Sequence, residues 1–242
     1  SHDTYADTFL TRPITGKQPA TRMVSAHYIE DALPWPVAEP MMVPHGGIHR
    51  NMEMLYEMPE PRLVKNRVYD LPLRTSALRT LGAYGNVFAN ESMINELAES
   101  ANLDPFTFRL QHLKDERAIA VLSKLQQVME DNSRDREQFG HGIGFARYKN
   151  SAAYCAIGVC LSVNEVAEVK LHDAYIVCDA GEIVDAEGVR AQLEGGFIQA
   201  ASWTLYEQVL YDRDGIVSRD WDTYPIITFD NIPQMHTHLI AN

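Results

Sequence analysis

Val177-Cys178-Asp179-Ala180-Gly181, then Gln192-Leu193-Glu194-Gly195-Gly196, then Trp221-Asp222-Thr223-Tyr224-Pro225, is the order of motifs that decides how this chain reads. An apolar strand ends at the Asp-Ala-Gly turn, a glycine-bearing amphipathic helix follows, and another strand and an aromatic loop come after it. Helical spacing runs over residues 187–206, which puts Val189, Leu193, Phe197, Ala200 and Leu205 on one side. Adjacent glycines inside a helix each cost about 1 kcal/mol relative to alanine, so a close neighbour is expected at Gly195-Gly196. Taken alone, Asp179-Ala180-Gly181 is a common turn combination. Trp221 and Tyr224 are expected to anchor their loop by burying large apolar area.

Upstream of the turn the pattern is one of strands, over residues 142–148, 154–163 and 167–178, and residues 233–241 read as one more. Further back the period changes to helical. Over residues 86–101, Val87, Ala89, Met93, Ile94, Leu97, Ala98 and Ala101 recur at three- and four-residue spacing, leaving Asn90, Asn95 and Glu99 outward. Asp104-Pro105 supplies an N-cap and a proline at the first helical position, with a short helix through Leu110 and Leu113. Ala118, Val121, Leu122, Leu125 and Val128 form a third amphipathic stripe.

Prolines recur from Pro13 to Pro61, so the first seventy or so residues read as irregular structure with short strands, one of them over residues 22–29. The polar run 131–138 is the best internal boundary. Two segments follow from it: residues 1–131, an irregular arm leading into helices, and residues 138–242, rich in strands. Helices set apart from runs of strands predict an α+β fold, with mixed sheets and packed helices, rather than a doubly wound sheet.

A net charge of -12 disfavours nucleic acid and anionic membrane surfaces as partners. No stretch approaches the roughly 18 apolar residues of a membrane span, and the cellular address is not legible. The three cysteines, Cys155, Cys160 and Cys178, sit in apolar strand-like sequence without framework spacing, and read as small core hydrophobes. Gly140-His141-Gly142-Ile143-Gly144 lacks a preceding strand and the full dinucleotide fingerprint. His45 with His49, and His236 with His238, lack a third ligand in view for a tetrahedral metal site. Ser76 and Ser202 lie in no nucleophile elbow.

Leu78-Arg79-Thr80-Leu81-Gly82-Ala83-Tyr84-Gly85-Asn86 leads straight into the first helix. Its glycines permit tight turning, and the helix N-terminus offers N–H donors to a phosphate or polar heterocycle. A plain loop-to-helix transition would use the same residues. Gln192 carries both a donor and an acceptor, which matches an amide-like edge. The bland alternative is that the neighbouring glycines admit a packed strand or helix.

In their shared order and spacing, these motifs resemble the molybdenum-cofactor large subunit of the xanthine dehydrogenase and aldehyde oxidase family, in its bacterial isoquinoline 1-oxidoreductase form. The likeness is strong over residues 71–122 and 140–240 and weak before them. It implies a molybdopterin-binding fold, with Leu78, Arg79, Leu81 and Gly82 standing where the family has an Arg-x-Phe-Gly cofactor loop. Leu81 replaces the aromatic residue there, which removes stacking at that position. The family's Gln-x-Glu-Gly motif falls on Gln192, Glu194 and Gly195, with Gln192 as a pterin contact and Glu194 ordering the adjacent backbone.

Such enzymes hydroxylate a carbon beside nitrogen in a heteroaromatic ring, or an aldehyde carbon, with water as oxygen donor. The metal hangs from the pterin dithiolene, so no protein Cys/His cluster is required. The resemblance implies molybdopterin cytosine dinucleotide as cofactor. As partners it implies the rest of the large subunit, a small 2Fe–2S subunit and a small-molecule substrate. The family's general-base glutamate stands in a Gly-x-Gly-Glu motif that is expected beyond Ile240, so no catalytic residue is assigned here. The chain is therefore expected to be a portion of a larger polypeptide. A non-catalytic binding or assembly module that keeps the fold is the alternative.

Overall fold

The structure, a computed structural model, describes residues 45–66, 78–132 and 138–240, so the strand expected over residues 22–29 lies outside it. The chain divides into two compact units, one of Ser1–Leu113 with Arg147–Ala152 and one of Lys114–Ala146 with Ala153–Asn242.

Among the described residues of the first unit, a 3-10 turn (Gly47–His49) precedes α1 (Ala83–Ser100) and α2 (Pro105–Gln111). Asp104 caps α2 by accepting the Phe106 N–H at 2.9 Å, and Pro105 opens the helix. The buried face of α1 is narrower than its apolar spacing predicts. Ala83, Ile94 and Ala98 are buried, whereas Ala89, Met93, Leu97 and Ala101 are exposed. The physical reason is Glu91, whose carboxylate is buried in the middle of that face. Arg109, fully buried, donates Nε and Nη2 to its Oε2 at 3.1 and 2.9 Å, and Tyr56 donates its hydroxyl to Oε1 at 3.0 Å. Asn95, expected outward, instead accepts Arg109 Nη1 at 2.9 Å.

The second unit contains α3 (Glu116–Asn132), all but the last residue of β1 (Gly140–Arg147), β2 (Tyr154–Val163), β3 (Val169–Asp179) and α4 (Ala186–Leu205). A two-residue hairpin, β4 (Tyr211–Asp212) and β5 (Gly215–Ile216), and then β6 (Gln234–Leu239) complete it. One sheet runs in the order β1-β2-β3-β6, with β2 antiparallel and β6 parallel to β3. Parallel neighbours need a crossover connection, and α4 lies in it. The architecture is α+β, as the sequence predicts.

Strand alternation gives the sheet two apolar faces. Cys155, Ile157 and Val159 of β2 and Ala174 and Ile176 of β3 face Leu193, Phe197 and Ala201 of α4. The opposite face meets α3, where Ala118, Val121, Leu122, Leu125 and Val128 are all buried, as their spacing predicts. Met129 packs so tightly over Gly158 that a Cβ there would collide with its sulfur. Tyr175 donates its hydroxyl to the Asn132 carbonyl at 3.0 Å, fixing the end of α3. Burial of α4 is slighter than predicted: Phe197, Ala201 and Ser202 are buried, while Val189, Ala200 and Leu205 are only partly covered.

Candidate functional site

Thr80 and Leu81 stand just before α1 with φ of 72° and 56°, a left-handed conformation rare for residues carrying a Cβ. The Leu81 N–H donates to the Leu78 carbonyl at 3.1 Å and the Ala83 N–H to the Thr80 carbonyl at 3.2 Å, winding the loop into the helix. Gly82 is required there by close approach, since a Cβ would lie 2.5 Å from the Gly47 carbonyl oxygen and 2.8 Å from that of Ile48. Two asparagines of α1 clasp the same neighbouring turn. Asn86 donates to the carbonyls of Ile48 at 2.8 Å and Arg50 at 3.0 Å, and Asn90 to that of Asn51 at 3.1 Å. Asn90, expected outward, is therefore part of the scaffold. Leu78 and Arg79 are exposed and Leu81 is half-buried. The Thr80 hydroxyl oxygen is buried and has no hydrogen-bond partner among the described residues.

In the second unit, the Asp-Ala-Gly turn is built around a buried carboxylate. Asp179 accepts Arg117 Nε at 2.7 Å and Nη2 at 2.6 Å, and the Gly181 N–H at 2.9 Å. Arg117 also lies over the Tyr154 ring, 4.7 Å from its centre, while Tyr154 donates to Asp115 at 2.8 Å. The Asp179 hydrogen bond is the main reason that the Arg117 guanidinium is held above its ordinary pKa. Sequence reasoning misses Arg117. A basic residue in the first turn of an amphipathic helix carries no signal that sets it apart from solvated charge.

Beyond the turn, Asp185 caps α4 by accepting the Gly188 N–H at 3.0 Å. Glu194 accepts the Thr237 hydroxyl at 2.9 Å and Arg190 donates Nη1 to the Thr237 carbonyl at 2.5 Å, which fastens α4 to β6. Gln192 lies on the other side of the helix and is exposed. Gly195 is exposed as well, and among the described residues nothing comes within 4 Å of the place where its Cβ would sit.

At the far end of α4, Glu207 accepts the Ser202 hydroxyl at 2.5 Å and the Tyr224 hydroxyl at 2.8 Å, and Ser202 accepts the Ile227 N–H at 3.0 Å. Tyr224 thus anchors its loop through a hydrogen bond. Trp221 does not: it is 76% exposed, contrary to the burial expected of it. The run 220–223 is instead closed by local bonds around Thr223, which need no aromatic burial.

The candidate residues therefore fall into two groups: Leu78, Arg79, Leu81 and Gly82 in one loop of the first unit, and Gln192, Glu194 and Gly195 on α4 of the second. Among the described residues no cluster of three or more His, Cys, Asp or Glu could hold a metal ion, and no helix is long and apolar enough to cross a membrane.

Residues 89–233, which include the strand, the carboxylate-centred turn and the crossover helix, match the molybdopterin cofactor-binding domain family. The chain belongs to it. A nicotinate dehydrogenase subunit from Pseudomonas putida is 33% identical over 201 residues, 76% of this chain and 17% of that protein. The beta subunit of isoquinoline 1-oxidoreductase from Brevundimonas diminuta is 30% identical over 188 residues, 71% of this chain and 24% of that protein. This chain thus spans 17% and 24% of the length of these two relatives. Among solved structures, quinoline 2-oxidoreductase from Pseudomonas putida 86 is similar at 24% identity and a TM-score of 0.36, over 37% of this chain and 12% of that one. The family match includes Arg117, Asp179, Gln192, Glu194 and Gly195, and begins after the Arg79 loop.

Proposed function

We propose that this chain is the molybdopterin-binding portion of a molybdenum hydroxylase that oxidises a carbon of an N-heteroaromatic ring or an aldehyde, with water as oxygen donor. The observation that carries the reading is Thr80: a buried hydroxyl with no partner among the described residues, on a left-handed residue, at the start of α1. An unsatisfied buried polar group costs about 1–3 kcal/mol, and left-handed backbone on such a residue costs about as much again. Both costs are offset when a polar ligand answers the hydroxyl.

The residues present suit a pterin. Arg79 is exposed beside Thr80 and offers charge-assisted donors to an anionic or carbonyl group. Gln192 pairs a donor and an acceptor with the open space at Gly195, which suits the amide edge of a flat heterocycle. Leu81 gives apolar contact without stacking, and Gly82 sets the loop's path. Glu194 supports the helix through Thr237. The cofactor, when bound, supplies the redox chemistry. This chain's part is to bind and orient it, and none of the described residues is assigned as general base.

The cofactor form we infer is molybdopterin cytosine dinucleotide. The partners we infer are the remainder of the large subunit, a small 2Fe–2S subunit that carries electrons away, and a small-molecule substrate. Two of the relatives, those from Pseudomonas putida and Brevundimonas diminuta, are named as subunits, which supports an assembly of several chains. The test is cofactor content in the intact parent, produced in a host that makes the cofactor. Molybdenum and pterin are expected in equal and stoichiometric amounts. Gln192→Ala and Thr80→Val are each expected to lower both at least tenfold while the thermal midpoint holds. Full occupancy in both variants, or no cofactor in the wild type, would overturn the assignment.

A further inference from the structure

Cys155 and Cys178 are register partners in the antiparallel β2–β3 pair. Directly opposed residues there have Cα atoms about 4.5 or 5.5 Å apart, depending on the kind of pair. Both values fall inside the range of about 4.4–6.8 Å that disulfides span. Opposed residues also share a face, and these two lie on the one that carries Ile157, Ala174 and Ile176 towards α4. Both thiols are free. Cys160 is a built-in control, because it is buried, points to the opposite face and has Asp173 across from it rather than a cysteine.

We propose that Cys155 and Cys178 are an oxidisable pair that closes to a cross-strand disulfide when treated with a hydroperoxide. Cys155 is the less covered residue of the two, and its sulfur attacks the peroxide oxygen, giving a sulfenic acid and releasing water. The Cys178 sulfur then displaces a second water as the S–S bond forms. Two thiols lose two electrons and two protons, and one hydrogen peroxide becomes two waters. Burial holds both thiols up, at about 12 for Cys155 and about 11 for Cys178, so the pair is sluggish and unlike a low-pKa redox catalyst.

Closure would tie the start of β2 to the end of β3. Their next residues, Tyr154 and Asp179, already meet through Arg117. The bond therefore stiffens the platform from which the turn into α4 departs, and the thiol pair makes that platform responsive to oxidant.

The experiment is hydrogen peroxide treatment of the purified full chain, followed by denaturation, alkylation and peptide mapping by mass spectrometry. The expected result is a loss of two mass units, one cross-linked peptide joining Cys155 to Cys178, and full alkylation of Cys160. Dithiothreitol should reverse it, and the oxidised form should melt about 5 °C higher. Cys155→Ser should show no mass loss, and the map of the wild-type chain does not depend on that variant folding. Three alkylated thiols, a bond to Cys160, a bond between chains, or a sulfinic acid at Cys155 in place of the cross-link would overturn the proposal.

Discussion

Arg117 grips Asp179 through two parallel hydrogen bonds, of 2.7 and 2.6 Å, so the first turn of α3 holds the last residue of β3. The Asp179 side chain is almost wholly buried, whereas that of Arg117 is 43% exposed, and the carboxylate also accepts the Gly181 N–H. Planar fork geometry is what matters here. Arg117→Lys is expected to keep the charge yet lose one of the two bonds, and Arg117→Met to lose both. Thermal midpoints should fall in the order wild type, lysine, methionine, and amide exchange at Gly181 should quicken in the same order. A lysine variant that matches wild type in both readouts would show that the fork is dispensable.

Gly82 and Gly195 make opposite predictions from the same substitution. A Cβ at Gly82 meets the backbone carbonyls of Gly47 and Ile48, which cannot swing away as a side chain can. Gly82→Ala is expected to cost about 1–3 kcal/mol of unfolding free energy. Gly195 sits inside α4 with open space around it, so Gly195→Ala should gain up to about 1 kcal/mol from helix propensity alone. Denaturant unfolding of the two variants checks both signs. If Gly195→Ala is more stable yet lowers cofactor content in the parent, the space at Gly195 belongs to the ligand.

The Glu91–Arg109 pair is buried, and so is exposed to the asymmetry of such pairs. Removing one partner strands a charge, at a cost of about 3–5 kcal/mol, whereas replacing both with apolar groups is often near neutral. Arg109→Ala should therefore destabilise strongly, and the double substitution Glu91→Leu with Arg109→Met should recover most of the loss. Urea unfolding in a double-mutant cycle measures the coupling. Additive losses from the two single changes would show that the pair acts as separate contacts.

These cases show where the sequence is legible. The α3 stripe can be read directly because every buried position there is apolar and sits on one 3.6-residue period. The β2 bounds can be read because a largely apolar run, broken only at Ser162, matches a strand. On α1 the same reasoning overshoots, since Glu91 is buried and Met93 and Leu97 are not. A buried carboxylate satisfied from another helix leaves no periodic trace. The Arg117–Asp179 pair spans 62 residues of sequence and is invisible for the same reason. Trp221 fails differently: aromatic area predicts burial only if something covers it. The Gln192 motif, by contrast, is proposed from its place in an ordered set of motifs rather than from its own chemistry.

The buried titrating groups also fix how stability responds to alkali. Burial raises Cys155 from 9.0 to about 12 and Cys178 from 9.0 to about 11, and burial followed by the Glu91 charge raises Tyr56 well above 10.0. Each group is neutral when protonated, so above its ordinary pKa the native state holds a proton that the unfolded state has released. Stability must therefore fall as pH rises, by about 1.4 kcal/mol per pH unit for each such group. The fall should begin near pH 9 with the cysteines, and Tyr56 should add to it above pH 10. Cys155→Ala is expected to flatten the slope from pH 9 upward, and Tyr56→Phe only the part above pH 10, each compared as a slope rather than as an absolute stability. Urea unfolding between pH 7 and 11 provides the measurement. A stability that stays level through pH 11 would mean that these groups are solvated in the native state.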